Sequence, residues 1–325
     1  MVNGSAILSG GLGIDSLSVD SYTTASLSGG DENDNLNASD SRNVTLHGDA
    51  GNDNLNANNI RNSSLYGDTG DDSLSANINW WYGTYSSLDG YGNANKFLYL
   101  DGGDGNDTLN ATTYTYNWHG QVSLALLGGS GNDRLTVSDG LSGDTGASGQ
   151  SSGIGQATLD GGAGDDVLSA SGVVQLGMTG GAGADRFVLT AQQYRTLEEG
   201  SRTFSDGTGA QTVVAATATV ITDFVAGAGQ DVLDVADLLR NGTSGFDGSN
   251  PFTSGYLKLQ QSGADTQVVF DADGAAGLGK SGLVIAVLQN VNAADLVAAN
   301  FTPAFSTDGL YHVNTSPTGE VLISG

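Results

Sequence analysis

An aspartate returns on a fixed stride. Asp15, Asp34, Asp53 and Asp72 lie 19 residues apart, each near the end of a ten-residue frame, L-x-G-G-x-G-x-D-x-L. Those copies read LSGGLGIDSL, LSGGDENDNL, LHGDAGNDNL and LYGDTGDDSL. Four more carry Asp107 (LDGGDGNDTL), Asp133 (LLGGSGNDRL), Asp166 (LDGGAGDDVL) and Asp185 (MTGGAGADRF), after steps of 35, 26, 33 and 19 residues. Eight copies in register mean one short unit stacked on itself, since such a unit cannot bury an apolar face alone. The period also separates the chain, with 51 glycines in 325 residues, from aperiodic glycine-rich disorder.

Each copy supplies a turn and a strand. The glycines admit φ > 0, so G-G-x-G-x-D folds as a tight turn. The residue after each aspartate, an apolar residue and a small or polar one then form a short strand. Its apolar side chain points inward: Leu17, Leu36, Leu55, Leu74, Leu109, Leu135, Leu168 and finally Phe187. A second strand, such as Asn43-Val44-Thr45-Leu46, closes the coil, and a glycine-free turn such as Ser39-Asp40-Ser41-Arg42 lies between the two. The fold expected is all-β: a parallel β-roll, or β-solenoid, of 19-residue coils over residues 1–190, then a smaller β-rich C-terminal domain. At about 4.8 Å per strand, eight coils give a rod on the order of 40 Å.

The stacking lines the aspartates up along one edge. A column of carboxylates at strand spacing repels itself, and a hard divalent cation with oxygen ligands removes the repulsion. Composition agrees. Acidic residues number 36 against 10 basic ones, a net charge of −26, and 32 of the 36 are aspartate. Aspartate favours turns and caps where glutamate favours helices, which excludes a mostly helical protein. The charge makes a nucleic-acid backbone or an anionic membrane a poor partner. Cysteine is absent, so disulfides and thiolate metal sites are excluded. No apolar run approaches the roughly 18–20 residues of a membrane span, and Met1-Val2-Asn3-Gly4-Ser5 opens no Sec-type signal.

These copies resemble the glycine-rich nonapeptide repeats of the RTX family. The resemblance implies a parallel β-roll whose motif aspartates and turn carbonyls hold Ca2+. Carried over position by position, the metal turns are Gly10, Gly11, Gly13 and Asp15; Gly29, Gly30, Asp31 and Asp34; Gly48, Asp49, Gly51 and Asp53; Gly67, Asp68, Gly70 and Asp72. They continue with Gly102, Gly103, Asp104, Gly105 and Asp107; Gly128, Gly129, Gly131 and Asp133; Gly161, Gly162, Gly164 and Asp166; Gly180, Gly181, Gly183 and Asp185. Gly227, Gly229 and Asp231 form a last G-x-G-x-D-x-L. The family usually sets glycine turns on both edges; here one edge has them, which implies one row of ions between successive coils. Asp49 and Asp68 replace the second glycine and Glu32 the third, and weaker turns are expected there.

Two insertions break the period, at about 76–99 and 139–156. The first is aromatic, with Trp80, Trp81, Tyr82, Tyr85, Tyr91, Phe97 and Tyr99. Cover for a widened side of the roll is the simpler account; a saccharide or partner patch at Trp80, Trp81, Tyr82 and Tyr85 is the alternative. The second is Gly/Ser-rich, a loop by composition. Its G-Q-S-S-G around Ser151 matches the nucleophile-elbow pattern without the flanking strand and helix that pattern needs. Nothing else supports catalysis, and no enzyme is expected. His47, His119 and His312 are isolated and read as surface residues.

Beyond Asp185 the glycine pattern fades. Residues 200–209 read as a loop and 235–240 as a short apolar turn or helix. Residues 255–260 and 266–271 read as a hairpin, 283–291 as a strand, and 292–300 as a short helix capped by Asn292. Asp271-Ala272-Asp273-Gly274 reads as a tight Asx turn. The ordered segments ITDF, GAGQDVLD and LQNV, then Asn300-Phe301, are similar to the C-terminal target domain of type I secretion substrates, most often met at the end of giant bacterial adhesins. The resemblance implies an uncleaved export signal at 191–305, with a last coil near 224–234, read by an ABC transporter complex, and a tail at 306–325. The chain begins almost inside a coil, which points to a piece of something larger. The function expected is a Ca2+-dependent folding and export module of a secreted surface adhesin. A self-assembling surface-layer protein and the tail of an exported enzyme are the alternatives.

Overall fold

In a computed structural model of the chain, the residues described are 4–80, 96–115, 121–140, 153–205, 211–275, 277, 279, 282–303, 312–315 and 320–324. Eight strands stack in parallel on one side of the roll: Ser5–Leu12, Thr24–Asp31, Asn43–Ala50, Asn62–Thr69, Lys96–Asp104, Val122–Ser130, Ile154–Ala163 and Val173–Ala182. Eight stack on the other: Ser16–Asp20, Asn35–Ser39, Asn54–Asn58, Ser73–Trp80, Thr108–Thr115, Arg134–Asp139, Val167–Ser171 and Arg186–Leu189.

Register follows the repeat. On the first side Leu8, Leu27, Leu46, Leu65, Leu100, Leu126, Leu159 and Met178 align in one row. Facing them, Leu17, Leu36, Leu55, Leu74, Leu109, Leu135, Leu168 and Phe187 align in another. From the second coil on, all of these side chains are buried. Each buried leucine contributes about 1.5–3 kcal/mol, so the two rows are the spine that holds the turns in line.

The first insertion is narrower than expected. Ala76, Ile78, Leu98 and Leu100 keep the inward alternation and are buried, which carries strand structure to Trp80 and resumes it at Lys96. Trp81, Tyr82, Tyr85, His119 and Ser151 lie outside the described residues. The second insertion is also shorter, because Asp139 ends one strand and Ile154 begins the next. Asp139 is pinned by Arg202, whose Nη1 donates to its Oδ2 (3.0 Å) and to the Gly172 carbonyl oxygen (3.0 Å).

The stack does not stop at residue 190. Thr219–Ile221 adds in parallel to Val173–Ala182, and Val232–Asp234 to Arg186–Leu189, which makes the expected last coil. Leu283–Leu288 and Phe301–Thr302 add once more in parallel. The first sheet then continues antiparallel through Asp265–Phe270, Leu257–Ser262, Glu320–Ser324 and His312–Thr315. The C-terminal region thus extends the same sheets.

One segment adds to the sequence reading and two differ from it. Ala191–Glu199 is a helix: the Thr190 hydroxyl accepts from the Gln193 N–H (3.1 Å), and Gly200 ends it at φ 73°. Ser201–Ser205 pairs antiparallel with Gln211–Ala215 where a loop was expected. Residues 292–300 form two 3-10 turns, Ala293–Asp295 and Ala298–Asn300, because Leu296 and Val297 between them stay extended. Among the described residues no helix is long and apolar enough to cross a membrane.

Candidate metal centre

Each motif aspartate divides its carboxylate between two tasks. Oδ1 accepts from the backbone N–H of the motif aspartate one coil earlier. Asp34, Asp53, Asp72, Asp107, Asp133 and Asp166 each take the N–H of the one before at 2.7 Å. Asp185 does so at 3.0 Å and Asp231 at 2.9 Å. Oδ2 of Asp15, Asp34, Asp53, Asp72, Asp107, Asp133, Asp166 and Asp185 is buried with no hydrogen-bond partner. An ionised oxygen withdrawn from water without a partner is expensive. Eight of them in one column call for a shared countercharge.

The first glycine of each turn opens the space beside Oδ2. A methyl group on Gly10 would lie 2.5 Å from Asp15 Oδ2 and 2.5 Å from the Gly29 carbonyl oxygen of the next coil. Gly29, Gly48, Gly67, Gly102, Gly128 and Gly161 repeat that position between their own carboxylate and the next coil's carbonyl. Carboxylate and carbonyl oxygens, with no side chain between them, are the donor set of a hard cation such as Ca2+. The departures from the motif keep the turn: Asp49, Asp68 and Glu32 take φ of 70°, 71° and 73°. Each does so at roughly 1–2 kcal/mol relative to glycine.

A second ladder, which the motif reading passed over, runs beside the first. The residue before each motif aspartate offers Oδ1 to a backbone N–H one coil later. The bonds run from Asn52 N–H to Asn33 (2.9 Å), Asp71 to Asn52 (3.0 Å), Asn106 to Asp71 (2.7 Å), Asn132 to Asn106 (2.8 Å), Asp165 to Asn132 (2.8 Å) and Ala184 to Asp165 (2.8 Å). Its signal was the recurrent N-D or D-D pair inside the frame.

The last coil behaves differently. Asp231 continues the Oδ1 ladder, but its Oδ2 accepts from the Val225 N–H (2.8 Å). The ligand turn expected at Gly227, Gly229 and Asp231 therefore has both carboxylate oxygens engaged by protein. Asp223 receives the N–H groups of Gly180 (3.0 Å) and Gly181 (2.7 Å). Asn300, fully buried, donates to the carbonyls of Gly227 (3.0 Å) and Asp231 (2.8 Å) and accepts from Gly227 N–H (3.0 Å). Protein groups close this end of the column.

Among known families, the model of the RTX calcium-binding nonapeptide repeat, in four copies, matches residues 28–59, 99–113 and 152–172. The matched coils are RTX repeats. The matched residues contain the turns of Asp34, Asp53, Asp107 and Asp166. The turns of Asp72, Asp133 and Asp185 lie outside them yet divide their carboxylates in the same way, and Asp15 shares the unpartnered Oδ2. No curated protein matches the chain.

Burial, and then the neighbouring carboxylates, push the motif aspartates up from 3.8: Asp53, Asp107 and Asp185 to about 6, Asp166 to about 7 and Asp72 to about 8. Backbone N–H groups on Oδ1 oppose the rise without cancelling it. Well below pH 4 folded and unfolded chains both hold these protons, and burial then carries no ionic penalty. As pH rises toward 8 the unfolded chain releases protons that the metal-free roll retains, so the roll loses stability across that window. Metal-stripped protein should therefore hold more β structure at pH 5 than at pH 8, read by far-UV circular dichroism. Equal spectra at the two values would contradict this.

Proposed function

We propose that the chain is a Ca2+-dependent folding and export module belonging to the C-terminal part of a type I secreted bacterial surface protein, an adhesin. The observation that carries this reading is the column of eight buried, unpartnered carboxylate oxygens. One Ca2+ lies between successive coils, held by Oδ2 of a motif aspartate and by turn carbonyls such as that of Gly29 beside Asp15. The ion supplies countercharge, and the chain's own atoms supply the spacing. Where Ca2+ is scarce, the polar coils cannot offset their chain entropy and the protein stays extended enough to be exported. Outside the cell, ions that bind only the folded roll draw the equilibrium over by mass action. Extracellular modules hold Ca2+ at roughly 10⁻⁴ to 10⁻³ M, which suits such a switch. Folding at the exit opposes back-sliding. Residues 191–305 are the export target region in this reading, supported by the ordered segments from Ile221 to Phe301.

The test is export itself. Expressed beside a type I apparatus, the chain should reach a medium containing millimolar Ca2+. Secretion should fall several-fold when the medium is chelated and be lost when residues 224–303 are deleted. Undiminished secretion of the deleted chain would overturn the target-region assignment, and secretion indifferent to chelation would overturn the folding switch.

A further inference from the structure

The two aspartates that replace motif glycines come together with a histidine on the outer face of the roll. Strand Asn43–Ala50 carries His47 and Asp49 two residues apart, hence on one face. The adjacent strand Asn62–Thr69 brings Asp68 alongside, with His47 Nδ1 3.0 Å from Asp68 Oδ2. One donor atom from each of the three residues falls within 4.8 Å of the others. We propose that His47, Asp49 and Asp68 form a second metal site, separate from the calcium column, for a borderline divalent ion of the Zn2+ class.

The donor chemistry separates this site from the column. The column offers buried oxygens alone, which suit Ca2+. Here an imidazole nitrogen joins two carboxylates, a set that selects Zn2+ and its transition-metal neighbours over Ca2+ or Mg2+. With bonds of about 2.0–2.2 Å, a tetrahedral ion sets its ligand atoms about 3.4 Å apart. The His47–Asp68 separation already lies near that value, and the Asp49 donor atom lies within 4.8 Å of both. His47 and Asp68 keep 38% and 39% of their side-chain surface exposed, which leaves the remaining coordination open to water.

The donors are also oriented from behind. The His47 ring stacks on Tyr66 at 4.5 Å with planes 7° apart, and Tyr66 leans on Tyr99 at 5.6 Å. The Ser28 hydroxyl donates to Asp49 Oδ2. Such supports fix the orientation of metal ligands, and their loss commonly costs ten- to a hundredfold in affinity. The site also accounts for a departure the RTX pattern leaves unexplained. Like charges on adjacent strands are unfavourable, yet Asp49 and Asp68 stand where other copies carry glycine.

The experiment uses the full chain in millimolar Ca2+, so that the roll is formed and its hard sites are satisfied. Zn2+ is then titrated by calorimetry, with Co2+ absorption as a second probe of coordination. The result expected is one Zn2+ per chain retained against Ca2+, weakened at least about tenfold in His47→Gln and several-fold in Ser28→Ala, with the Ca2+-dependent circular dichroism of both variants unchanged. Since His47 is half-exposed, its replacement leaves the fold intact; Asp68→Asn gives a second, independent loss. Zn2+ affinity equal in parent and His47→Gln would overturn the proposal. So would displacement of Zn2+ by millimolar Ca2+, or a stoichiometry of zero, as for a simple His47–Asp68 ion pair.

Discussion

Removing Ca2+ from the folded chain should abolish the β signal of the roll in a single cooperative step. The eight Oδ2 atoms have no protein partner. Ionised together, carboxylates one strand spacing apart would repel by about 3 kcal/mol per pair at an effective dielectric of about 20. Holding protons instead costs the metal-free roll stability at neutral pH, where the unfolded chain has released them. Neither the leucine rows nor the backbone ladders offset that at neutral pH, because a narrow roll gains each coil's stability from its neighbours. Losing one interface therefore weakens the next. Returning Ca2+ should restore the signal with a midpoint on the order of 10⁻⁴ to 10⁻³ M. Mg2+ should fail, since it holds its water and demands a tight octahedron. Far-UV circular dichroism in chelator, then with each ion, reads all three outcomes. A β spectrum indifferent to chelator would mean that the orphaned oxygens are satisfied in another way.

Asp107→Ala should raise the Ca2+ midpoint several-fold and divide the single transition into two. Asp107 sits in mid-stack, its Oδ1 accepting the Asp72 N–H at 2.7 Å. Alanine strands that buried amide, at about 1–3 kcal/mol, and removes a charged oxygen from the column at the same place. The coils on either side then fold as shorter, less coupled stacks. Asp107→Asn separates the two contributions: its amide oxygen still accepts the N–H, but the second position brings no charge to a cation. Its midpoint should lie between those of the parent and the alanine variant. Asp295→Asn, on an exposed 3-10 turn, should change nothing. An alanine variant that titrates like the parent would show that the column does not carry the fold.

Much of this was legible in the sequence because a repeat multiplies its own signal. Leu36, Leu55 and Leu74 recur at one offset from the aspartates, and the structure stacks them in one buried row. What escaped was the division of labour within each carboxylate. A one-dimensional pattern marks Asp53 as a ligand, but that Oδ1 is consumed by a backbone N–H while Oδ2 stays orphaned is visible only once coils are stacked. The ladder through Asn33, Asn52 and Asn106 was hidden because asparagine in a turn reads as local turn chemistry, whereas its partners lie one coil away. The helix Ala191–Glu199 had its signals in Thr190 and Gly200, and was lost in a stretch judged by its missing glycines. His47 read as isolated for the same reason: Asp68 is 21 residues away along the chain and 3.0 Å away in space.

The two side-chain ladders of the turn edge run in opposite senses. Motif aspartates grip the coil before them, and the asparagine row grips the coil after. A coil laid in upside down would present acceptor to acceptor in one row and donor to donor in the other. Ions in a column are indifferent to up and down; they glue any two carboxylate edges that meet. Orientation is thus enforced by neutral backbone amides, and strength by charge. A solenoid built this way resembles keyed bricks set in mortar, in which the key decides how each brick faces and the mortar decides whether the wall stands.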